Sequence, residues 1–489
     1  MTNSKSTKRA LVTSALAILM CVAMLIGTTF AWFTDTASTG VNKIVSGNLK
    51  VDIIGVGSDS HIEELNFTKA ATTDAEAGTE ILWEPGCRYL TEGFRIANKG
   101  NLALKWKAQV NKGTTAANEG NFDLLDVIDF YLVKGTGESQ TETLLDEFTG
   151  NLKKNETSDV YYIKGVMKTT AGNDYQSLTL DGITITVLAT QDTVENDSID
   201  NQYDKDAEYP IAVTTGDELQ AIVSNATAPV NIVLANSITT NNFVIPADKD
   251  VTLDLNGFTL TGGDSHAILN RGVLCIKDSS GNGKIVASKA NTSALRNGDG
   301  AVCVIDGGTF TRTDAVDNKW HTVENFGTMT FNGGKVIADD GQSFAIVNGW
   351  NYINPGEQKA TMTINNIEMI AGPNGFKNCA GGTLTMNGGT LHCTGYWGLS
   401  NDSTGVATIN GGKIISDKYV AISDGGAKME INGGTFTGPQ GSLYVQNYAQ
   451  DTVVKGGSYQ NETVEFMQSY CPEGYTATLK GDMVVVSKN

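Results

Sequence analysis

Histidine, cysteine and proline are scarce in this chain of 489 residues, which holds 4 histidines, 7 cysteines and 8 prolines. The histidines, His61, His266, His321 and His392, are far apart, and no His-Glu-x-x-His sequence occurs. Catalytic zinc normally takes three protein ligands that include histidine, so the sequence argues against zinc chemistry. The cysteine spacings match neither a zinc motif nor the disulfide framework of a small secreted domain. These residues therefore predict no metal and no other cofactor.

Positive charge is also scarce. The chain has 35 lysines and arginines against 54 aspartates and glutamates, which gives a formal net charge of −19 at pH 7. Nucleic-acid binding depends on cationic side chains that neutralise phosphates, so no nucleic-acid partner is expected. One long apolar run is present, from Ala10 to Ile26.

That run has the organisation of a secretory signal. Lys5, Lys8 and Arg9 precede it, and small residues follow it up to a cleavage site between Ala31 and Trp32. We predict that residues 1–31 are removed and that the remaining chain is secreted to the cell surface or the medium, with no stable membrane span. A membrane-anchoring helix is the alternative, although the run is at the short end of the length that spans a bilayer.

The C-terminal half repeats an Asn-Gly-Gly turn between two alternating apolar runs, as in LTMNGGTL and ATINGGKI. Nine such turns occur at intervals of 22 to 33 residues, at Asn256, Asn282, Asp306, Asn332, Asn365, Asn387, Asn410, Asn432 and Lys455. A repeat of this size indicates a solenoid, and the two-residue alternation inside each unit makes it a β-solenoid. Glycine suits these turns because they require positive φ.

A second periodic series runs through the same region. Its members are Asn270, Asn297, Asn325, Asn348, Asn378, Asn401, Asp424 and Asn447. Stacked asparagines at a bend can hydrogen-bond to one another and to the backbone that the bend would leave unpaired. We therefore predict a structural asparagine ladder.

The repeat region begins with Thr215-Gly-Asp-Glu218, a capping-box pattern that predicts a short helix over the first coil. With its turns and ladder, the segment 215–489 resembles the right-handed parallel β-helix superfamily, the pectate-lyase-like group. Polygalacturonase-like members carry paired aspartates together with Gly-His-Gly and Arg-Ile-Lys motifs, and neither motif is present here. Asp339 and Asp340 are the comparable acidic pair, with His321 nearby in sequence, so these three residues are the weak catalytic candidates.

Three ordered motifs precede the repeats: GTTFAWFTD from Gly27, LWEPG from Leu82 and FRIANKGNLALK from Phe94. They resemble the TasA/camelysin family of Gram-positive secreted proteins, which a SipW-type signal peptidase processes. The resemblance and the alternating strands imply an antiparallel, jelly-roll-like β-sandwich over 32–191. The family also implies self-assembly into biofilm fibres, in which Trp32, Phe33, Thr34 and Asp35 would begin a strand donated to the next subunit.

Residues 192–214 form an acidic linker between these two parts. Asp197, Asp200 and Asp204 are oxygen donors that make calcium a candidate ligand there, although their spacing matches no EF-hand.

The expected class is all-β, and the expected function is that of a secreted cell-surface or biofilm-matrix structural or adhesive protein. Two alternatives stay open: a carbohydrate-active β-helix enzyme, either a polysaccharide lyase or a glycoside hydrolase, and a non-catalytic glycan-binding module. The sequence leans against an enzyme without deciding the question. Trp350 and Tyr352, in the longest repeat, are the candidate glycan contacts because an inserted loop points outward.

Overall fold

A computed structural model describes residues 49–62, 65–69, 83–116, 122–135, 140–192, 208–313, 320–338, 343–349 and 359–489. The predicted all-β class is confirmed, with antiparallel sheets in the N-terminal part and a parallel β-solenoid in the C-terminal part. No helix within these ranges is long and apolar enough to cross a membrane.

The N-terminal strands form two antiparallel sheets. One has the order β1-β4-β9-β3-β2, with β6 pairing with β9 and β7; the other has the order β10-β5-β8. The bounds are β1 Val51–Gly55, β2 Phe67–Lys69, β3 Arg88–Thr91, β4 Phe94–Asn98, β5 Leu104–Thr115, β6 Ile128–Lys134, β7 Thr141–Leu144, β8 Phe148–Leu152, β9 Tyr161–Met167 and β10 Leu180–Gln191. Short 3-10 turns occur at Leu124–Asp126 and Asn173–Tyr175.

Aromatic rings fill the space between these sheets. Trp106 is 1% exposed and lies edge-on to Phe148 at 5.7 Å between ring centroids. Trp83, from the LWEPG motif, packs edge-on against Tyr89 at 5.0 Å, and Gly86 takes a φ of 89° in the turn that follows. The motif therefore serves the turn and the core.

Three parallel sheets run along the solenoid. Sheet 1 contains β11 Ile211–Val213, β12 Val230–Leu234, β15 Asp250–Asp254, β18 Val273–Lys277, β21 Val302–Ile305, β24 Thr328–Phe331, β27 Ala360–Ile364, β30 Gly382–Met386, β33 Val406–Ile409, β36 Lys428–Ile431 and β39 Thr452–Val454. Sheet 2 contains β13 Ile238–Thr240, β16 Thr259–Gly262, β19 Lys284–Ala287, β22 Thr309–Arg312, β25 Lys335–Ala338, β28 Glu368–Ala371, β31 Thr390–Cys393, β34 Lys413–Ser416, β37 Thr435–Thr437 and β40 Gly457–Gln460. Sheet 3 contains β14 Val244–Ile245, β17 Ile268–Asn270, β20 Leu295–Asn297, β23 Val323–Asn325, β26 Phe344–Asn348, β29 Asn374–Asn378, β32 Leu399–Asp402, β35 Ile422–Gly425 and β38 Leu443–Val445.

Alternation along each strand sends every second side chain into one continuous core. In β30, Leu384 and Met386 are fully buried, whereas Thr383 on the same strand is exposed. Register repeats this pattern from coil to coil, because Leu384 lies beside Met362 on one side and Ala407 on the other.

Three bends close each coil: the first joins sheet 1 to sheet 2, the second joins sheet 2 to sheet 3, and the third returns to sheet 1. The Asn-Gly-Gly turns form the first bend. Their second glycine has positive φ, for example 85° at Gly389 and 93° at Gly412. A side chain at Gly389 would also stand 2.6 Å from the backbone nitrogen of Ile367, so both conformation and space require glycine there.

The predicted asparagine series lies at the third bend, where its side chains form a buried row. Each amide donates a hydrogen bond of 2.8 or 2.9 Å to the next coil, through Asn270, Asn297, Asn325, Asn348, Asn378, Asn401 and finally Asp424. Asn447 does not belong to this row. Register places Val445 beside Asp424, and Asn447 is exposed in the turn beyond β38.

Helix α1, Gly216–Asn225, caps the first coil. Thr215 Oγ1 accepts a hydrogen bond from the Glu218 amide at 3.2 Å, while Glu218 Oε2 accepts from the Thr214 amide at 2.9 Å. The Gln220 side chain accepts from Val244 N at 2.9 Å and donates to Val244 O at 3.1 Å. It thereby satisfies backbone groups that the first strand of sheet 3 would otherwise expose.

The far end is capped by different means. β42 Met483–Lys488 pairs antiparallel with β40 and with β41 Tyr475–Lys480, and helix α2, Val464–Gln468, packs nearby. Glu462 Oε1 accepts from the amides of Ser442 and Leu443 at 2.6 and 2.8 Å, which satisfies the end of sheet 3. The polar caps at both ends leave fewer open strand edges for other chains to join.

Six cysteines within the described ranges are all free thiols. Burial raises the pKa of Cys275 to about 11 and that of Cys379 to about 12. Thiols held neutral in this way are poor nucleophiles, and these cysteines serve as small apolar side chains.

Candidate functional site

Most of the site residues predicted from sequence lie outside the described ranges. These are Ala31 and Trp32 at the cleavage site, Phe33, Thr34 and Asp35 of the donor segment, the acids Asp197, Asp200 and Asp204, the pair Asp339 and Asp340, and the loop residues Trp350 and Tyr352. His321 lies within them, at the second bend between β22 and β23.

His61 and His392 are each paired with one aspartate. His61 Nδ1 is 2.6 Å from Asp52 Oδ1, and His392 Nε2 is 2.9 Å from Asp417 Oδ1. No group of three or more histidine, cysteine, aspartate or glutamate residues suited to a metal ion occurs in the described part of the chain.

A column of side chains points outward from sheet 3, because the residue before each row asparagine alternates to the outer face. Along the solenoid it reads Leu269, Arg296, Glu324, Val347, Lys377, Ser400, Ser423 and Tyr444. Outward-facing charges normally remain in water, so any buried member needs an explanation.

Val347, Ser400 and Ser423 are also buried, but Glu324 is the charged member of the column that has no exposed surface. Its Oε2 accepts a hydrogen bond of 2.7 Å from Ser293 Oγ and lies 3.5 Å from Nη1 of Arg296, on the preceding coil. Burial raises the pKa of this carboxyl, while Arg296 and Ser293 act in the opposite direction. The second carboxylate oxygen, Oε1, has no hydrogen-bond partner.

His321 lies beside this carboxylate in sequence and stacks between aromatic rings. Its ring centroid is 5.5 Å from that of Trp320 and 6.3 Å from that of Phe344. Burial, aided by the positive charges of Arg312 and Lys377 and opposed by a backbone hydrogen bond with Phe344, lowers its pKa to about 4. The imidazole is therefore neutral at pH 7.

His266 occupies the second bend two coils earlier. Its Nδ1 accepts a hydrogen bond of 2.9 Å from Ser293 N, which places the ring proton of the neutral form on Nε2. Burial, aided by the charge of Arg296, lowers its pKa to about 4.

Unpartnered buried polar atoms concentrate at this point of the solenoid. Four of them belong to five consecutive residues: Trp320 Nε1, His321 Nδ1, Thr322 Oγ1 and Glu324 Oε1. The Trp320 indole is close enough to Glu324 to lower the pKa of its carboxyl. The distance and angle of the indole N–H nevertheless do not satisfy the geometry of a hydrogen bond. Each unmatched group costs about 1–3 kcal/mol, so a ligand or ordered water that supplied hydrogen-bond partners here would stabilise the bend.

A second aromatic group lies further along the same bend. Tyr396 and Trp397 precede β32 with ring centroids 5.7 Å apart, and Tyr419, before β35, is 6.3 Å from each of them. Tyr396 is 56% exposed, and Trp397 Nε1 is a further buried atom without a partner.

Sequence reasoning singled out His321 but missed Glu324, Arg296, Ser293 and His266. The available signal was a charged residue next to a row asparagine, Arg in SALRN and Glu in HTVEN. Their contact joins residues 28 to 31 positions apart, so it becomes visible only when the coils are stacked in register.

No family model and no curated protein matches the chain. Among solved structures, it is similar to the catalytic domain of a GH87 alpha-1,3-glucanase variant in complex with tetrasaccharides. The sequence identity is 12% and the TM-score 0.22, over 83% of this chain and 98% of that chain. At that TM-score the likeness carries no argument about this chain's activity.

Proposed function

We propose that the protein is a secreted surface or matrix protein that binds a glycan on the outer face of sheet 3, at the cluster formed by Trp320, His321 and Glu324. The observation that carries this proposal is the run of four unpartnered buried polar atoms beside aromatic rings. A sugar offers both matching features, since its hydroxyl groups donate and accept hydrogen bonds while its apolar face packs on an aromatic ring.

The charges around the cluster favour a sugar that carries an acidic group. Arg296, Arg312 and Lys377 all act on His321 as positive charges. Arg296 also lies 3.5 Å from Glu324, and Lys377 lies 3.3 Å from Asp402, so an acidic sugar would share these cations with the two carboxylates. Lys377 Nζ also lies 5.3 Å from the ring centroid of Phe344, which places a cation beside an aromatic face. A uronic acid combines the carboxylate and the apolar ring face that this arrangement suits.

Two conservative variants test the binding proposal, Glu324→Gln and His321→Gln. We expect each to weaken binding of glycan-array hits, with uronic-acid oligosaccharides foremost, by roughly tenfold, because a hydrogen bond contributes about 0.5–1.5 kcal/mol between neutral groups and about 1.5–3 kcal/mol when one group is charged. His392→Gln is the matched control, since this histidine pairs with Asp417 on the outer face of sheet 2. Unchanged affinity in both test variants, with the melting temperature preserved, would remove the site.

The adhesive role also requires that copies assemble, and one strand edge favours this. β10 spans 12 residues at the edge of its sheet and, among the described strands, pairs only with β5. An edge of this length accepts an added strand, and the segment that begins Trp32-Phe33-Thr34-Asp35 would supply it after cleavage by a SipW-type signal peptidase.

Electron microscopy of two chains tests assembly, one starting at Trp32 and the other at Val51. We expect filaments from the first chain and none from the second, because only the first carries the donor segment. Equal assembly by both would exclude strand donation and leave glycan binding untouched.

Catalysis is a second candidate function, favoured by one observation. A carboxyl whose pKa is raised and an imidazole that is neutral at pH 7 belong to the same cluster, as a general acid and a general base would. An active enzyme would release reducing ends or form new double bonds in the glycan that it binds. Binding without either product, over long incubation, would assign the cluster to recognition alone.

A further inference from the structure

We infer that the glycan lies parallel to the solenoid axis and reaches a second sugar-binding subsite on Tyr396. This inference rests on the proposed function, because it extends the ligand of the first cluster, and it assigns a specificity-determining residue three coils away. Tyr396 is a large ring that remains 56% exposed, at a position where the neighbouring Trp397 and Tyr419 are only partly exposed.

The two aromatic groups occupy equivalent places in the coil. Trp320 and His321 lie at the second bend before β23, and Tyr396 lies at the second bend before β32. β23, β26, β29 and β32 are consecutive neighbours in sheet 3. At about 4.8 Å per coil, the two groups are roughly 14 Å apart along the axis, which is more than a disaccharide spans.

Described residues of successive coils link the two groups. His321 stacks on Phe344, which pairs in register with Asn374 on the next coil. Pro373 precedes Asn374, and its carbonyl accepts a hydrogen bond of 2.7 Å from the Tyr396 amide on the coil after that. The second bend between β28 and β29 consists of Gly372 and Pro373, so this coil carries no long side chain beside Tyr396.

The Tyr396 bend is also held rigidly, as a stacking platform requires. Ser416, which is 2% exposed on the next coil, donates its hydroxyl to the Tyr396 carbonyl at 2.5 Å and accepts from the Tyr419 amide at 3.0 Å. Tyr419 in turn lies edge-on to both neighbouring rings. Little side-chain entropy is therefore lost when a sugar ring stacks on Tyr396.

Ligand length separates this subsite from the first cluster. The probes are the disaccharide and the hexasaccharide of galacturonic acid, with affinities measured by calorimetry on the full mature chain. The disaccharide fills the first cluster alone, whereas the hexasaccharide is long enough to reach Tyr396. We expect Tyr396→Ala to weaken hexasaccharide binding roughly tenfold and to leave disaccharide binding unchanged.

Two further variants show whether a loss of hexasaccharide binding is specific to the Tyr396 ring. Tyr448→Ala removes a tyrosine of nearly equal exposure, 54%, that packs on Gly425 instead, and it should change neither affinity. Tyr396→Phe keeps the ring and should retain hexasaccharide binding. If Tyr396→Ala leaves the hexasaccharide affinity unchanged, the subsite is refuted while the first cluster stands. If the unmodified chain binds neither probe, the uronic-acid proposal fails and this inference fails with it.

Discussion

The solenoid carries two rows of asparagine side chains that share their chemistry and spacing but differ in surroundings. The inner row, from Asn270 to Asp424 at the third bend, has members that are at most 1% exposed. The outer row, from Asp306 to Asn432 at the first bend, lies in solvent. In both, side-chain amides donate hydrogen bonds of 2.8 or 2.9 Å to a side-chain oxygen on a neighbouring coil, which belongs to an asparagine or, at one end of each row, to an aspartate.

The two rows also point in opposite directions. In the inner row the Asn378 amide donates to Asn401 on the following coil, whereas in the outer row the Asn387 amide donates to Asn365 on the preceding coil. Only the inner amides reach backbone carbonyls as well; Asn378, for example, donates to Val406 O at 3.0 Å. The inner row thus ties the third bend together, while the outer row ties side chains only to one another.

Hydrogen-bond length therefore says little about the stability that each row contributes. Water replaces a broken bond in the outer row, so the net loss there is small. In the inner row a broken bond leaves its partner without water, at a cost of about 1–3 kcal/mol for each unpaired group. Burial is the variable that separates two rows of equal geometry.

Asn378→Asp, paired with Asn387→Asp, should give the largest difference between the rows. In the inner variant the new carboxylate cannot donate a hydrogen bond to Asn401 Oδ1 or to Val406 O, and it places a buried negative charge beside both oxygens. We expect a loss of about 3–5 kcal/mol in the free energy of unfolding at pH 7, against less than about 1 kcal/mol for the outer variant. Chemical denaturation measures both, and equal losses would contradict the role given to burial.

Asn401→Ala, paired with Asn410→Ala, tests the same contrast without adding charge. Asn401 donates to Asp424 Oδ1 and to Lys428 O, so its removal strands buried acceptors and should cost about 1–3 kcal/mol. Asn410→Ala removes two exposed bonds, one donated to Asn387 and one accepted from Asn432, and we expect a change within about 0.5 kcal/mol. A larger loss at Asn410 would show that the outer row sets the geometry of the first bend.

The coil period and the inner row could be predicted because they follow from local rules. Each coil closes after a nearly constant number of residues, which sets the period. A buried asparagine that recurs with this period lies beside the asparagine of the next coil and can hydrogen-bond to it. The mutual hydrogen bonds of the outer asparagines were not predicted, because their glycines already explained the turn. The error at Asn447 arose because the spacing of 23 residues continues one step beyond the last stacked bend.

The candidate site was harder to predict for the same reason. Glu324 in HTVEN is indistinguishable in sequence from an exposed strand residue. Its burial depends on Ser293 and Arg296, which belong to the previous coil. The residues that lie side by side on two coils depend on the length of every loop between them, whereas the repeat period does not. The longest loops occur in this part of the chain.

Acid should destabilise the outer face of sheet 3 without affecting the amides of either row, because amides do not titrate. His321 has a pKa of about 4 when folded and about 6.5 when unfolded, so the unfolded chain binds more protons between these values. The contribution of His321 to the free energy of unfolding is then fully present above about pH 6.5, and it is lost as the pH drops towards 4. His266 acts in the same direction, and the raised pKa of Glu324 acts against both.

Thermal denaturation of the chain with and without His321→Phe, measured from pH 7 to pH 4, isolates this contribution. Phenylalanine keeps a ring between Trp320 and Phe344 but does not titrate. Both chains carry Glu324→Gln, which removes the opposing carboxyl, and we expect the chain with phenylalanine at position 321 to lose about 2–3 kcal/mol less in the free energy of unfolding over this range. Parallel pH profiles would show that His321 keeps its ordinary pKa in the folded chain.

Among the inner-row substitutions, Asp424→Asn should give the smallest effect, although it changes the buried end of the row. Asp424 Oδ1 accepts from Asn401, and Oδ2 accepts from the hydroxyl of Thr452 at 2.6 Å. An acid suits this place because Val445 stands opposite and offers no acceptor for an amide. After the substitution the Thr452 hydroxyl can turn and accept instead, so we expect a loss below about 1 kcal/mol by thermal denaturation. A loss as large as that of Asn401→Ala would mean that the end of the row needs its negative charge, and that the inner row is stabilised by charge as well as by burial.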